Sequence, residues 1–262
     1  MDHREVGRYW NDNADAWTQL ARAGYDIYRD HLNSPAFFEM LPTVDRLKVL
    51  DIGCGEGENT RRLARLGAQV TAIDIADRFV ARAIEGEQRE PLGIHYQVAS
   101  AIDLPFDGAT FDAATAFMSL MDIAETERAI AEAHRVLKPG GFLQFSITHP
   151  CFDTPRRRPV RDDNGEKVAL EVAGYFEQRD GLIEEWLFGA APAELKRDLP
   201  PFRVPRFTRT LSSWLNLLIA TGFVIERVNE PYPSDEVVAK WPRLKRARVV
   251  ADFLQLLVRK PA

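Results

Sequence analysis

Residues Val49 to Asn59 read V-L-D-I-G-C-G-E-G-E-N, and this short run constrains the chain more than any other. An apolar strand ending at Asp51 is followed at once by Gly53, Gly55 and Gly57, and then by the helical run Thr60 to Arg65. Glycine tolerates backbone angles that other residues avoid, and without a side chain it lets a ligand approach the main chain closely. The free amides at the start of the next helix favour a negatively charged group. Such a turn serves a small polar ligand.

The surroundings of the turn alternate between strand and helix patterns. Apolar, β-branched stretches fall at 47–52, 70–75, 93–98, 111–117 and 141–147, with helical patterns at 58–66, 77–87 and 124–137 between them. Lys138-Pro139-Gly140-Gly141 stops a helix and leads into a strand. This is the pattern of an α/β protein with a parallel sheet covered on both faces. Residues 3–40 are weakly helical and aromatic, and Asn11 and Asp12 are expected to break them into two helical pieces. From 150 to 207 the chain turns rich in Pro and Arg and then carries two expected strands, 168–176 and 182–188, around Arg179-Asp180-Gly181. They read as an inserted hairpin capping the open edge of the sheet. A helix over 210–221, a strand at 223–229, a short helix up to 248 and a last strand at 249–258 complete the expectation.

At 262 residues the chain has room for one large α/β domain spanning 1–262, with a lid segment at 1–40 and a cap at 150–207. Its formal charge of -5 disfavours broad phosphate neutralisation, so no nucleic-acid partner is expected. Arg156-Arg157-Arg158 is read as a solvated loop. Neither a bilayer-spanning run nor a targeting segment is indicated, which points to the cytoplasm and to no membrane partner. The two cysteines, Cys54 and Cys151, suggest neither a structural disulfide nor a cysteine metal site, and no metal is expected. Oligomeric state is not encoded in any motif.

Two ligand classes compete for the glycine turn. A dinucleotide site needs G-x-G-x-x-G with its amides facing a pyrophosphate, whereas this chain reads G-C-G-E-G with Asn59 two residues further on. Asp51 would face a pyrophosphate with like charge, but it suits a ligand bearing an ammonium group. Asp74 ends the next strand, where a carboxylate can accept from both hydroxyls of a ribose or, alternatively, cap the helix from Asp77.

On these residues the chain resembles the class I S-adenosylmethionine-dependent methyltransferases, in particular the small-molecule branch similar to the ubiquinone and menaquinone biosynthesis enzymes. Val49 to Ile147 carries the resemblance clearly, through the glycine turn, Asp74, Leu104-Pro105-Phe106, Phe111-Asp112 and the run His134 to Gly141. Phe207 to Lys260 carries it weakly. It implies a Rossmann-like, seven-stranded, mostly parallel sheet with an antiparallel last strand, a helical N-terminal lid and an inserted substrate cap. It also implies S-adenosylmethionine as cofactor, with Asp51, Gly53, Cys54 and Gly55 around its methionyl part, Asp74 at the ribose, and Asn59 and Ile75 as further cofactor contacts. Ser100 and Ala101 stand where the family often has an acid before a small residue facing adenine, so a backbone carbonyl or Asp103 is a candidate to help there. Phe117 and Met121 are candidate pocket walls, and Tyr9 and Trp10 match lid residues that often lie over the cofactor.

Methyl transfer needs an acceptor aligned with the methyl group and shielded from water, and an oxygen or acidic-carbon acceptor must also lose a proton. His149, just past the strand at 141–147 in Thr148-His149-Pro150, is the candidate base; a backbone-bonded imidazole that only shapes the pocket is its alternative reading. Trp17, Tyr175, Trp186, Arg206 and Arg209 are the candidate acceptor contacts, the aromatic ones for an apolar or aromatic small molecule and the arginines for a carboxylate or phosphate. O-methylation is favoured over C- or N-methylation. A protein of this fold that uses bound S-adenosylmethionine without moving its methyl group is the second reading, because cofactor motifs report binding rather than turnover. Ala116-Phe117-Met118-Ser119 lacks the proline pair expected for methylation of a base amino group.

Overall fold

The computed structural model describes residues 1–262. The alternation forms as β1 (Lys48–Ile52), β2 (Gln69–Asp74), β3 (His95–Val98), β4 (Phe111–Phe117) and β5 (Leu137–Thr148). Ahead of them lie α1 (His3–Arg22), a π-helical turn at Arg29–Asn33 and α2 (Ser34–Met40). Helices α3 (Glu58–Arg65), α4 (Asp77–Arg89) and α5 (Thr126–Val136) connect the strands. Beyond β5 come β6 (Arg156–Arg161), β7 (Lys167–Ala173), β8 (Asp180–Trp186), α6 (Ala193–Asp198), β9 (Phe202–Phe207) and α7 (Leu211–Thr221). The chain ends with β10 (Val224–Asn229), α8 (Asp235–Lys240), a 3-10 segment at Pro242–Arg248 and β11 (Phe253–Arg259).

Seven strands form one sheet in the order β10-β11-β5-β4-β1-β2-β3. All run parallel except β11, which pairs antiparallel with both β5 and β10. β1 sits between β2 and β4, with Leu50 opposite Thr71 on one side and Ala114 on the other. Successive residues of a strand point to opposite faces, so Leu50 and Ile52 enter the core under α5 and α7 while Val49 enters the one under α3 and α4. Each of these fully buried aliphatic side chains stabilises the fold by about 1.5–3 kcal/mol.

Four expectations are corrected. Helix α1 runs unbroken through Asn11 and Asp12. Asn11 accepts from the Arg78 amide in the first turn of α4, and Asn13 exchanges both amide hydrogen bonds with the backbone of Arg203 on β9, so tertiary partners override the poor local propensity. The residues expected as one hairpin belong to two separate ladders, β6 with β7 and β8 with β9. The real turn of the first is Asp162 to Glu166, where the Asp162 carboxylate accepts from the Asn164 and Glu166 amides; its Asn164-Gly165 pair is itself a hairpin signal. Arg156-Arg157-Arg158 is therefore strand, not loop. The last strand begins at Phe253 rather than at residue 249. No helix is long and apolar enough to cross a membrane.

Candidate functional site

The strand order reverses between β1 and β4, and in open α/β sheets the crevice at the carboxyl ends of such strands is where ligands bind. The glycine turn lies there. The Gly53 and Cys54 amides both donate to the Ile73 carbonyl, at 2.8 and 2.9 Å, which folds the turn across the end of β2. Gly53 has φ +74°, and a Cβ added to it would lie 2.4 Å from Ser119 Cβ. Gly55 has φ +55°, lines the cavity, and would carry a Cβ into open space.

The two acids of the motif are held differently. Asp51 is buried, and its oxygens accept from the Thr60 and Thr115 hydroxyls at 2.6 and 2.7 Å. Burial raises its carboxyl above the ordinary range, against the pull of those two hydroxyls. Asp74 accepts the Gly55 amide on one oxygen and the Ala76 amide on the other, both at 2.9 Å. Each oxygen keeps a further lone pair for a donor from the cavity. Burial pushes the Asp74 carboxyl up to about 6, opposed by the backbone donors. Burial also raises the Cys54 thiol well above its usual range, so it stays protonated and unreactive.

These groups open onto a cavity of about 430 Å³. One side is apolar: Trp10, Trp17, Trp186, Leu187, Phe188 and Val204 stand in its wall. Trp17 makes edge contacts with Trp10 at 5.5 Å, Trp186 at 5.4 Å and Phe188 at 4.9 Å, which ties α1 to the β8–β9 ladder over the cavity. The charged part of the wall is strongly acidic: six carboxylates (Asp26, Asp51, Glu56, Glu58, Asp74, Asp122) face two arginines, Arg29 and Arg206. Arg29 is bound to Glu56 and Asp30, each at 2.7 Å. Asn33 accepts on Oδ1 from Ser146 and Gln255, which leaves its buried Nδ2 in the wall without a protein partner.

Asp122 closes the 3-10 turn Leu120–Asp122 that follows β4. It is 6% exposed, and its Oδ1 has no hydrogen-bond partner. Arg206 Nη1 is the nearest cation, at 3.8 Å, while the same guanidinium is bound by Asp153 and lies 3.5 Å from Glu184. Burial pushes the Asp122 carboxyl up to about 7, with Arg206 pulling against it.

Of the residues expected from the sequence, the cavity wall contains Trp10, Asp51, Gly53, Cys54, Gly55, Asn59, Asp74, Ile75, Ser100, Ala101, Phe117 and Met121, and also Trp17, Trp186 and Arg206. Tyr9, His149, Tyr175 and Arg209 lie outside it. The Tyr9 ring lies 5.0 Å from the Arg203 guanidinium carbon. The Tyr175 hydroxyl accepts the Leu211 amide at the start of α7. Arg209 makes two bonds to Glu127, at 2.6 and 2.9 Å. His149 is 3% exposed; its Nδ1 accepts the Cys151 amide, so its proton sits on Nε2 and is donated to Glu230 at 2.7 Å. That leaves no nitrogen free to take a proton from a molecule in the cavity. Asp103 is exposed and outside the wall. A spacing of three on an extended strand alternates faces, so Arg203 faces outward to Glu185 while Arg206 turns in. Arg29, Asn33 and Asp122 were missed. The first two lie in a segment read only as aromatic lid, and Asp122 directly follows Met121, which was singled out.

The methyltransferase domain model matches residues 50–145, from β1 to β5. An O-methyltransferase of Penicillium expansum is 34% identical over 172 residues, which is 58% of this chain and 62% of that protein. A ubiquinone biosynthesis O-methyltransferase of Coxiella burnetii is 33% identical over 155 residues, 58% of this chain and 64% of that protein. The chain thus spans somewhat less than two thirds of these relatives' length. Among solved structures, an S-adenosylmethionine-dependent methyltransferase from Mesorhizobium loti superposes with a TM-score of 0.70 at 29% identity, over 86% of this chain and 96% of that one.

Proposed function

Because the chain belongs to the class I S-adenosylmethionine-dependent methyltransferases, we propose that it moves a methyl group from S-adenosylmethionine to a small, partly apolar or aromatic metabolite, with oxygen as the favoured acceptor. The observation that carries this reading is the charge of the wall, six carboxylates against two arginines beside a glycine turn. A pyrophosphate would be repelled there, whereas a ligand with an ammonium and a sulfonium is attracted. The open space at Gly55 accepts the ligand's approach to the main chain.

Asp74 holds the two ribose hydroxyls with the lone pairs its backbone donors leave free. Ile75, Ser100 and Ala101 flank the base, and Asp51, Gly53, Cys54 and Asn59 surround the methionyl part. Arg29 offers its charge to the carboxylate at that end. When bound, the cofactor supplies an electrophilic methyl group on a positively charged sulfur. The aromatic side of the cavity takes the acceptor, and α1 together with the 150–207 insertion, acting as lid and cap, keeps water out while the acceptor is aligned. The relatives whose names speak of O-methyl transfer support oxygen as acceptor. The unpaired Cys54 and Cys151 are compatible with a reducing, cytoplasmic setting.

Calorimetry with S-adenosylmethionine and with its demethylated product tests the reading. Binding of either below millimolar concentration, weakened at least about tenfold in Asp74→Ala, is the expected result. Transfer of labelled methyl into a panel of small phenols then identifies the acceptor class. If neither compound binds below millimolar concentration, the proposal fails.

A further inference from the structure

We propose that Asp122 is the base that takes the acceptor's proton, and that the acceptor therefore presents a weakly acidic hydroxyl, a phenol or an enol, to the aromatic side of the cavity. This rests on the methyl-transfer reading above and deepens it. Three features of the chain lead here.

The first is position. Asp122 lies one short turn beyond β4, on the edge of the crevice where the strand order reverses. Its amide donates to the Ser119 carbonyl at 3.0 Å, and the Ser119 hydroxyl donates to the Ile52 carbonyl at 2.7 Å, directly before the glycine turn. The carboxyl is thus fixed relative to the turn that receives the cofactor. The second is an unfilled valence. Asp122 lines the cavity, and its Oδ1 is buried with no donor from the protein. A buried acceptor left unpaired is costly and uncommon in a native fold, and a hydroxyl entering the cavity supplies the missing donor. The third is the way the nearest cation is held. Arg206 stays 3.8 Å from Asp122 because Asp153 binds it and Glu184 shares it. At that distance it steadies the carboxylate without occupying Oδ1.

The chemistry balances at this atom. The acceptor's O–H bond breaks, its proton goes to Asp122 Oδ1, and its electron pair stays on the acceptor oxygen. That oxygen forms the bond to the methyl carbon as the methyl–sulfur bond breaks, and the electron pair of that bond goes to sulfur. A carboxyl raised to about 7 is a stronger base than an ordinary carboxylate and is still substantially ionised at neutral pH. His149 does not compete, because both of its nitrogens are engaged; His3, whose Nδ1 is bound to Glu125 at 3.2 Å, also lines the cavity, and turnover retained in Asp122→Asn but lost in His3→Ala would assign the proton to it instead.

The pH behaviour depends on the charges around the turn. β9 contributes Arg206 and β8 contributes Glu184; Asp153, Arg157 and Arg179 complete their network. From the start of α5, Glu125 pairs with His3 and Arg128, and Glu127 pairs with Arg209. β5 presents no charged side chain between Phe142 and Thr148, and His149 beyond it is bound to Glu230. Arg206 is therefore the cation that sets the carboxyl.

The test combines two readouts on the full chain. Carboxyl carbon NMR of aspartate-labelled protein, assigned by difference against Asp122→Asn, is expected to show one aspartate titrating near neutral pH that the variant lacks. With an acceptor from the phenol panel, Asp122→Asn is expected to lose at least about hundredfold in kcat, while its calorimetric affinity for S-adenosylmethionine, which also reports folding, falls by less than about tenfold, since Asp122 is one of six carboxylates in the wall. Asp122→Glu restores part of the rate, and Arg206→Gln moves the rising limb of the pH–rate profile to higher pH. Retained turnover in Asp122→Asn, or an Asp122 resonance that titrates in the ordinary carboxylate range, overturns the proposal. A wild-type protein that binds no S-adenosylmethionine overturns this proposal and the methyl-transfer reading together, whereas turnover kept in Asp122→Asn overturns this one alone.

Discussion

Replacing Gly53 or Gly55 with alanine separates what the glycine turn does for the fold from what it does for the ligand. At φ +74° an alanine in place of Gly53 costs about 1–2 kcal/mol in backbone strain. Its methyl group would also lie 2.4 Å from Ser119 Cβ and 2.8 Å from Ser119 Oγ. Ser119 cannot yield freely, because its hydroxyl already donates to the Ile52 carbonyl at 2.7 Å. Losing that bond costs about 1 kcal/mol, and the overlap adds about 1–3 kcal/mol. A destabilisation of about 4 kcal/mol lowers Tm by about 8–16 °C in a domain of this size. Gly55→Ala bears only the backbone strain, since nothing lies within 4 Å of its added Cβ. Its Tm therefore falls by a few degrees, but its methyl group stands in the cavity, and S-adenosylmethionine affinity drops at least about tenfold. Thermal unfolding of both variants with and without cofactor reads the two effects separately. Ser119→Gly added to Gly53→Ala should recover the overlap but not the strain or the lost bond. The reasoning is refuted if Gly53→Ala melts with the wild type, if Ser119→Gly recovers nothing, or if Gly55→Ala binds cofactor unchanged.

Three further outcomes follow from the carboxyls and from His149. Asp74 sits near 6 in the free protein, and ribose hydroxyls donating to its carboxylate lower that value, so S-adenosylmethionine affinity should fall as pH drops through about 6; calorimetry from pH 5 to 8 that shows no such fall removes the ribose role. Asp122 is raised from 3.8 to about 7 on folding, so the folded state binds that proton more tightly and the carboxyl's cost to stability grows from about pH 4 to 7 and stays above it. Asp122→Asn, with Arg206 still held by Asp153 and Glu184, should therefore melt higher than wild type at pH 8 and show little gain at pH 4; the opposite order would contradict the burial argument. His149→Ala removes two hydrogen bonds and a buried ring, which should cost about 2–3 kcal/mol in urea unfolding while kcat per folded molecule changes little; a large loss of kcat at full folding would return His149 to the chemistry.

The donor side of the site was legible in the sequence because it is local. Strand, glycine turn and strand-end acid all fall within residues 48–76, and Gly53, Gly55 and Asp74 take their places from hydrogen bonds made inside that stretch. The sheet was legible for a related reason, since buried parallel strands show as apolar runs whatever lies far away. The insertion was not. β7 looks the same whether it pairs with β6 or with β8, and only the Asn164-Gly165 turn distinguishes the two.

The acceptor side depends on contacts between segments far apart in the chain, and single-sequence patterns do not report those. Asn11 and Asp12 look like helix breakers until Arg78 meets Asn11 and Arg203 meets the neighbouring Asn13. His149 looks like a base until Glu230, 81 residues away, accepts its Nε2–H and the Cys151 amide fills its Nδ1. Asp122 looks like a short-turn acid of no consequence until β9 brings Arg206 to it and Asp153 holds that guanidinium back. An ionisable group acquires its chemistry from what buries it and from what is kept off it. At Asp122 the cation and the acids that hold it off, Arg206, Asp153 and Glu184, all come from the stretch after β5, so an exchange of residues 150–207 between relatives should change which acceptor loses its proton while leaving the glycine turn's ligand the same.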